Sequence, residues 1–255
     1  MAAVHRAFSY ARAQAPRGPL TLNISGSEAF SAQKMPLSVE LLKRAFDAGA
    51  PPDVIGLQAH LGKLNGVAER LVRGLDAFSE FGLPIHITEI TFKTDGDNTF
   101  ADEDRQARDV EAFYTYMFSR PEVKALNWWD LTDRHSFSEV GGLLRRDLSP
   151  KPAYDVLTEL IRRRWSTDTT TSIENGEAHF RGFFGDYEAE VRLPNGSTEH
   201  ATFTLHPEID QPVALQVGTG CRELRPVWDT PTRRGVRPSA AAHRLRPDQG
   251  CADGR

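Results

Sequence analysis

The sequence predicts an α/β fold built on a parallel sheet. Three observations carry this. Short apolar runs rich in β-branched residues recur at Leu20–Ile24, Val54–Leu61, Leu83–Ile90 and Val123–Leu131, each followed by a segment with helical spacing of apolar residues. That alternation is the mark of right-handed βα units. Polar residues gather at the ends of the runs: Asn23, Gln58 with His60, Glu89, and Trp129 with Asp133.

Taken in order, residues 1–15 place Val4, Ala7, Phe8 and Ala11 at helical spacing, and Pro16-Arg17-Gly18-Pro19 breaks the helix. The first strand follows, then a Gly/Ser-rich loop and a helix over 38–48, with Gly49 in the position of a C-terminal cap. After the second strand, residues 65–81 set Val67, Leu71, Leu75 and Phe78 on one helical face, closed by Gly82. The third strand ends in Glu89, an acid among apolar neighbours. A carboxylate is costly to bury alone, so it marks a salt bridge, a metal ligand or a catalytic group. A helix over 102–118 carries Ala107, Val110, Phe113 and Met117. The fourth strand follows, and a last helix over 153–163 begins at Lys151-Pro152, a proline suited to a first helical turn. An open doubly wound sheet and part of a (β/α)8 barrel both satisfy this order. The absence of a glycine-rich phosphate loop after any strand counts against a nucleotide-binding sheet, and polar strand ends suit a barrel rim.

Beyond Trp165 the texture changes. Thr167–Ser172 is a threonine-rich linker, and 178–184, 187–193 and 200–205 alternate as antiparallel strands, with Pro194-Asn195-Gly196 as a hairpin turn. Residues 211–255 contain arginine and proline but no lysine and little apolar periodicity, and read as disordered. The expected organisation is a partial barrel over 1–165, a small β module over 166–210 and the tail.

Composition removes several function classes. A net charge of -4 gives no pull towards nucleic acid or an anionic membrane surface. No apolar run is long enough for a bilayer, and Met1–Tyr10 lacks the apolar core of a secretory signal, so the chain as written reads as soluble and unexported, its localisation otherwise open. Cys221 and Cys251 supply neither a disulfide framework nor a zinc spacing. No metal or cofactor is expected.

The strand-end residues in order resemble family 10 glycoside hydrolases, the retaining endo-1,4-β-xylanases with a (β/α)8 barrel. The matches are Leu22-Asn23 on that family's fifth strand, Gly56-Leu57-Gln58-Ala59-His60-Leu61 on the sixth and Ile87-Thr88-Glu89-Ile90 on the seventh. Trp128-Trp129-Asp130-Leu131-Thr132-Asp133-Arg134-His135-Ser136-Phe137 lies on the eighth, followed by Gly142-Leu143-Leu144 and Pro150-Lys151-Pro152-Ala153-Tyr154. The resemblance implies the C-terminal half of such a barrel, its last four βα units, and a xylan-like β-1,4-linked polysaccharide as partner. It implies that Glu89 is the nucleophile and that His60 hydrogen-bonds and orients it. Gln58 is positioned to meet a sugar hydroxyl, Trp129 to floor the cleft under the apolar face of a sugar ring, and Phe137 and Asn23 to add substrate contacts.

There are departures. Retaining hydrolysis needs a second carboxyl about 5 Å from the first, and the family carries it in an Asn-Glu motif on a fourth strand not found here. Asn23-Ile24 offers no substitute, Glu28 follows the wrong strand, Phe137 stands where a tryptophan is usual, and Asp130 replaces a glycine. A barrel of this class takes about 250 residues, against about 160 barrel-like ones here. A half-barrel leaves two sheet edges and an uncovered face, so a missing N-terminal half or a self-association partner is expected, and weak or no activity alone. A non-catalytic carbohydrate-binding or structural remnant is the alternative. Asp133 and Arg134 read as a loop salt bridge, Lys151–Tyr154 as a helix start without chemistry, Trp128 as helix-facing core, and Arg162–Arg164 as a solvated helix end.

Overall fold

The computed structural model describes residues 2–14, 18–95, 99–134 and 140–206, with 213–215 and 241–242. Phe137 and almost all of the stretch read as a disordered tail lie outside the described residues. The chain divides into two compact units, Met1–Leu160 and Ile161–Arg255.

The first unit is a four-stranded sheet in the order β1 (Thr21–Ile24), β2 (Val54–Leu61), β3 (Ile85–Phe92) and β4 (Val123–Trp128), every neighbouring pair parallel. Helices intervene: α1 (Ala2–Gln14) precedes β1, α2 (Gly26–Ala29) and α3 (Met35–Asp47) follow it, α4 (Ala68–Ser79) follows β2, α5 (Phe100–Phe118) follows β3, and α6 (Pro152–Glu159) closes the unit. Their termini follow local chemistry. Gly49 and Gly82, both just past helix ends, have φ of +69° and +66°, a region glycine enters without steric cost. Thr99 caps α5 by accepting the Asp102 N–H, and Pro152 occupies its first-turn position in α6. That last helix stops sooner than its spacing predicts and runs into a π-helical turn, Leu160–Arg164.

The core lies between sheet and helices. Ile55, Leu57, Ala59 and Leu61 point one way from β2, against Leu71, Leu75 and Phe78 of α4 and Val110, Phe113 and Met117 of α5, all buried. Trp128 faces the same layer, stacked on Phe92 and Tyr114 with ring centroids 6.5 Å apart in each pair. Burial holds the Tyr114 phenol well above its ordinary range.

β3 departs from plain alternation. Leu57 pairs with Ile87 but Gln58 pairs with Glu89, so Thr88 is an extra residue in the strand, a bulge. Ile85 and Ile87 before it, and Ile90 and Phe92 after it, are all fully buried on the helix side. Strict alternation would have sent Glu89 into that layer with Ile85 and Ile87. The bulge turns it to the opposite face instead. The strand also runs two residues beyond the predicted end at Ile90, whereas β4 stops at Trp128, three short of Leu131.

The segment after β4 is held by buried ion pairs that local sequence reading did not anticipate. Asp133 does not pair with Arg134. Its carboxylate accepts the Gly142 N–H at 2.8 Å and faces Lys151 Nζ at 2.7 Å, with Asp133 1% and Lys151 0% exposed. Arg134 instead donates to the Arg146 carbonyl. Lys151 therefore is more than a helix start: it is a buried cation. Nearby, Arg145 forks onto Glu103 of α5 through Nε at 2.9 Å and Nη2 at 2.5 Å.

In the second unit, β5 (Ile173–Glu174) and β6 (Glu177–Ala178) form a hairpin across Asn175-Gly176, both at positive φ as a two-residue primed turn requires. After the short β7 (Arg181–Gly182), β8 (Gly185–Arg192) and β9 (Thr198–Leu205) pair antiparallel over their whole length. The continuous strand predicted over 178–184 is broken because Phe180 turns onto Tyr187 and Phe203, whose rings stack at 5.1 Å. Gly182 lies under the Tyr187 hydroxyl, where a Cβ would come within 2.4 Å. Among the described residues, no helix is long and apolar enough to cross a membrane.

Candidate active site

The face of the sheet opposite the helices carries the polar strand ends. Gly56, Gln58 and His60 alternate onto it from β2, Thr88, Glu89 and Thr91 from β3, and Asn127 and Trp129 from β4 and the residue after it. At its centre is Glu89, with a side chain 15% exposed.

Both Glu89 oxygens are engaged. Gln58 Nε2 donates to Oε1 at 3.0 Å, and His60 Nε2 lies 2.9 Å from Oε2. The pairing register explains it, since Gln58 sits directly across from Glu89 and His60 directly across from Thr91. His60 Nδ1 meets the Thr91 hydroxyl at 3.2 Å. The Trp129 ring, half exposed, stands edge-on to the imidazole with centroids 6.2 Å apart. A flat apolar ring thus borders a carboxylate held by two side chains on a rigid strand pair.

The bulge that aims Glu89 is itself secured. Thr88 Oγ1 donates to Asn23 Oδ1 at 2.7 Å, and Asn127 Nδ2 donates to the Thr88 carbonyl at 3.0 Å. Gly56 leaves the space these groups fill: a Cβ there would lie 2.7 Å from Asn23 Oδ1 and 3.0 Å from Thr88 Cγ2. Across β2, Gly26 of α2 packs so closely on the Gln58 carbonyl that a Cβ would approach to 2.5 Å. Two glycines therefore let neighbouring elements crowd the strand that carries Gln58 and His60.

Of the residues singled out from sequence, Gln58, His60, Glu89 and Trp129 come together. Asn23 lies one strand further, its carbonyl oxygen taken up by Thr88. Gln58, expected to face a sugar hydroxyl, spends its amide N–H on Glu89. Thr88, Thr91 and Asn127 were not singled out; only a bulge, which shows no mark in a run such as His86-Ile87-Thr88-Glu89-Ile90, would have drawn attention to the first two.

A parallel βα sheet with polar side chains gathered at the C-terminal ends of its strands is the arrangement of a (β/α)8-barrel enzyme. The family model for glycosyl hydrolase family 10 matches residues 2–160, and the chain belongs to that family. Endo-1,4-beta-xylanase B of Thermotoga neapolitana is 28% identical over 170 residues, covering 63% of this chain and 49% of that protein. The anti-sigma-I factor RsgI6 of Acetivibrio thermocellus is 29% identical over 160 residues, 62% of this chain and 20% of that protein. Among solved structures, xylanase 10B of Thermotoga petrophila in complex with xylobiose superimposes with a TM-score of 0.56 at 26% identity, covering 63% of this chain and 51% of that one. The chain thus spans about half the length of these two xylanases.

Proposed function

We propose that the first unit forms the nucleophile side of a retaining glycoside hydrolase site for a xylan-like β-1,4-linked polysaccharide. The observation that carries this is the double hold on Glu89, one side-chain partner per oxygen, on the face bordered by Trp129. Glu89 is the nucleophile: ionised, it attacks the anomeric carbon and forms a glycosyl-enzyme ester while the leaving oxygen departs. His60 and Gln58 fix its direction of attack, and Trp129 lies under a sugar ring. Asn23 acts through Thr88 by holding the bulge.

The leaving oxygen needs a proton from a second carboxyl, which the resemblance places on a strand preceding those matched here. We propose that this group comes from outside the four strands, and that the chain by itself turns over unactivated xylan weakly or not at all. The second reading is a non-catalytic carbohydrate-binding or structural remnant of such an enzyme; the relative named as an anti-sigma factor shows that the likeness is not confined to proteins named as hydrolases.

An aryl xyloside with a dinitrophenolate leaving group separates these, because such a group departs without a proton. The expected result is a burst of dinitrophenolate with an adduct mapped to Glu89, abolished in Glu89→Gln, and no reducing sugar from xylan. Turnover of xylan by the purified chain would overturn the missing-acid reading. Binding of xylo-oligosaccharides with no adduct would favour the second.

A further inference from the structure

Asn23 grips the side chain of Thr88, but the Thr88 carbonyl is gripped from the other side, by Asn127. On that side β3 spends two residues, Thr88 and Glu89, between the pairs Ile87 with Leu126 and Ile90 with Trp128, where β4 spends one, Asn127. Asn127 therefore faces the bulge alone, and its Nδ2 donates to the Thr88 carbonyl at 3.0 Å. A carbonyl oxygen only accepts, so the NH2 end of the amide is the end that must point at it.

For the aim of Glu89 this oxygen matters more than the Thr88 hydroxyl. The Thr88 carbonyl and the Glu89 N–H belong to one planar peptide unit, so a donor that fixes the oxygen fixes the plane leading into the Glu89 Cα. The Asn23 contact fixes only the side chain of Thr88. From this geometry we infer that Asn127 is a positioning residue: by holding the peptide plane between Thr88 and Glu89 it sets the direction in which the Glu89 side chain leaves the strand, towards Gln58 and His60 and away from the layer of Ile87 and Ile90. The inference deepens the reading of Glu89 as nucleophile and rests on it for its consequence, though not for its geometry. Asn127 is exposed and stands on an outer strand of the four, so replacing its side chain leaves the helix-facing core untouched.

The test uses the full chain. Asn127→Leu keeps the branching at Cγ and removes the donor. Asn127→His returns an N–H on an atom bonded to Cγ, and the exposed site leaves room for the ring; at pH about 8 an unperturbed imidazole adds no charge. The coupling between the Glu89 amide proton and its Hα reads the Glu89 φ and needs no substrate. It is expected to change in Asn127→Leu and to return in Asn127→His. Glu89 glycosylation by the dinitrophenyl xyloside at saturation is expected to slow about fivefold in Asn127→Leu, the loss of one hydrogen bond, and to recover in Asn127→His, with the half-saturating concentration unchanged. An unmoved coupling in the leucine variant overturns the proposal. So does a moved coupling with an unchanged glycosylation rate, because the hold would then serve the strand and not the nucleophile. A higher half-saturating concentration at an unchanged rate overturns it as well, since Asn127 would then contact the sugar. Should the leucine variant not fold, Asn127→Ala carries the same comparison. A coupling that moves in a chain whose wild type never forms the Glu89 adduct upholds Asn127 and sinks the nucleophile reading instead.

Discussion

Glu89 and Glu103 are both acids with little exposed surface in the same unit, and they are held in opposite ways. Glu103, 2% exposed at its side chain, receives the two-pronged Arg145 guanidinium, so a formal positive charge cancels its own. Asp133 is the same kind of acid, matched by Lys151. Glu89 receives a neutral amide and an imidazole, and its side chain keeps 15% of its surface open. An acid cancelled by a fixed cation is committed to structure. One held in direction by an amide and an imidazole suits the nucleophile role proposed for it. The contrast explains why burial alone is a poor guide to function here: the most buried acids are the ones the proposed chemistry does not use.

The comparison is broken most severely at Lys151. Lys151→Met removes the cation and leaves Asp133 charged and enclosed, which costs about 3–5 kcal/mol of stability. Urea unfolding should show it, and adding Asp133→Leu should recover most of the loss, since a buried pair replaced together by apolar residues is often neutral. Recovery failing in the double variant would show that the Gly142 N–H bond to Asp133, rather than the ion pair, holds the segment. A smaller effect is expected from Arg145→Met. That side chain is one-third exposed, so water and salt already screen it, and about 1–3 kcal/mol is expected. It should also loosen the loop at the Pro150 carbonyl, which Arg145 Nη1 reaches at 2.6 Å.

What the sequence disclosed, and what it hid, follows the same divide. The order of strands and helices was legible because each carries its own apolar period, and Gly49, Gly82 and Pro152 punctuate it as local backbone chemistry requires. Trp128 and Trp129 were legible as opposite-facing because alternation needs no partner. The union of Gln58, His60 and Glu89 followed from the resemblance of their motifs. Two features were not legible. The Thr88 bulge depends on Asn23, Gly56 and Asn127 from other strands, and without it the alternation that places Ile85 and Ile87 in the core would bury Glu89 beside them. Lys151 finds Asp133 only after the loop between them has folded back. Asp133 was paired with Arg134 because they are neighbours in sequence, but adjacency does not decide which cation is sealed away from water.

The least effect should come from a fourth acid, one that sharpens the contrast by being exposed. Asp53 accepts the Leu20 N–H at 2.7 Å and pairs with Arg12 at 2.5 Å, fastening α1 to the start of β2. The backbone hydrogen bond first, and the guanidinium second, hold its carboxyl below the usual aspartate range. The folded state therefore binds the proton less readily than the unfolded chain, whose aspartates titrate near about 3.9. Its contribution is fully present above that value and is lost as pH falls through the lower, folded one. Because both partners are about two-fifths exposed, the contribution is screened and stays below about 1 kcal/mol. Asp53→Asn should flatten the acid limb of the stability curve slightly below pH about 4 and leave it unchanged near neutrality except for a small constant offset. Denaturant midpoints collected from acid to neutral pH would check it. A loss as large as that of Lys151→Met would mean that this acid belongs with the committed ones, and that exposure does not set their rank.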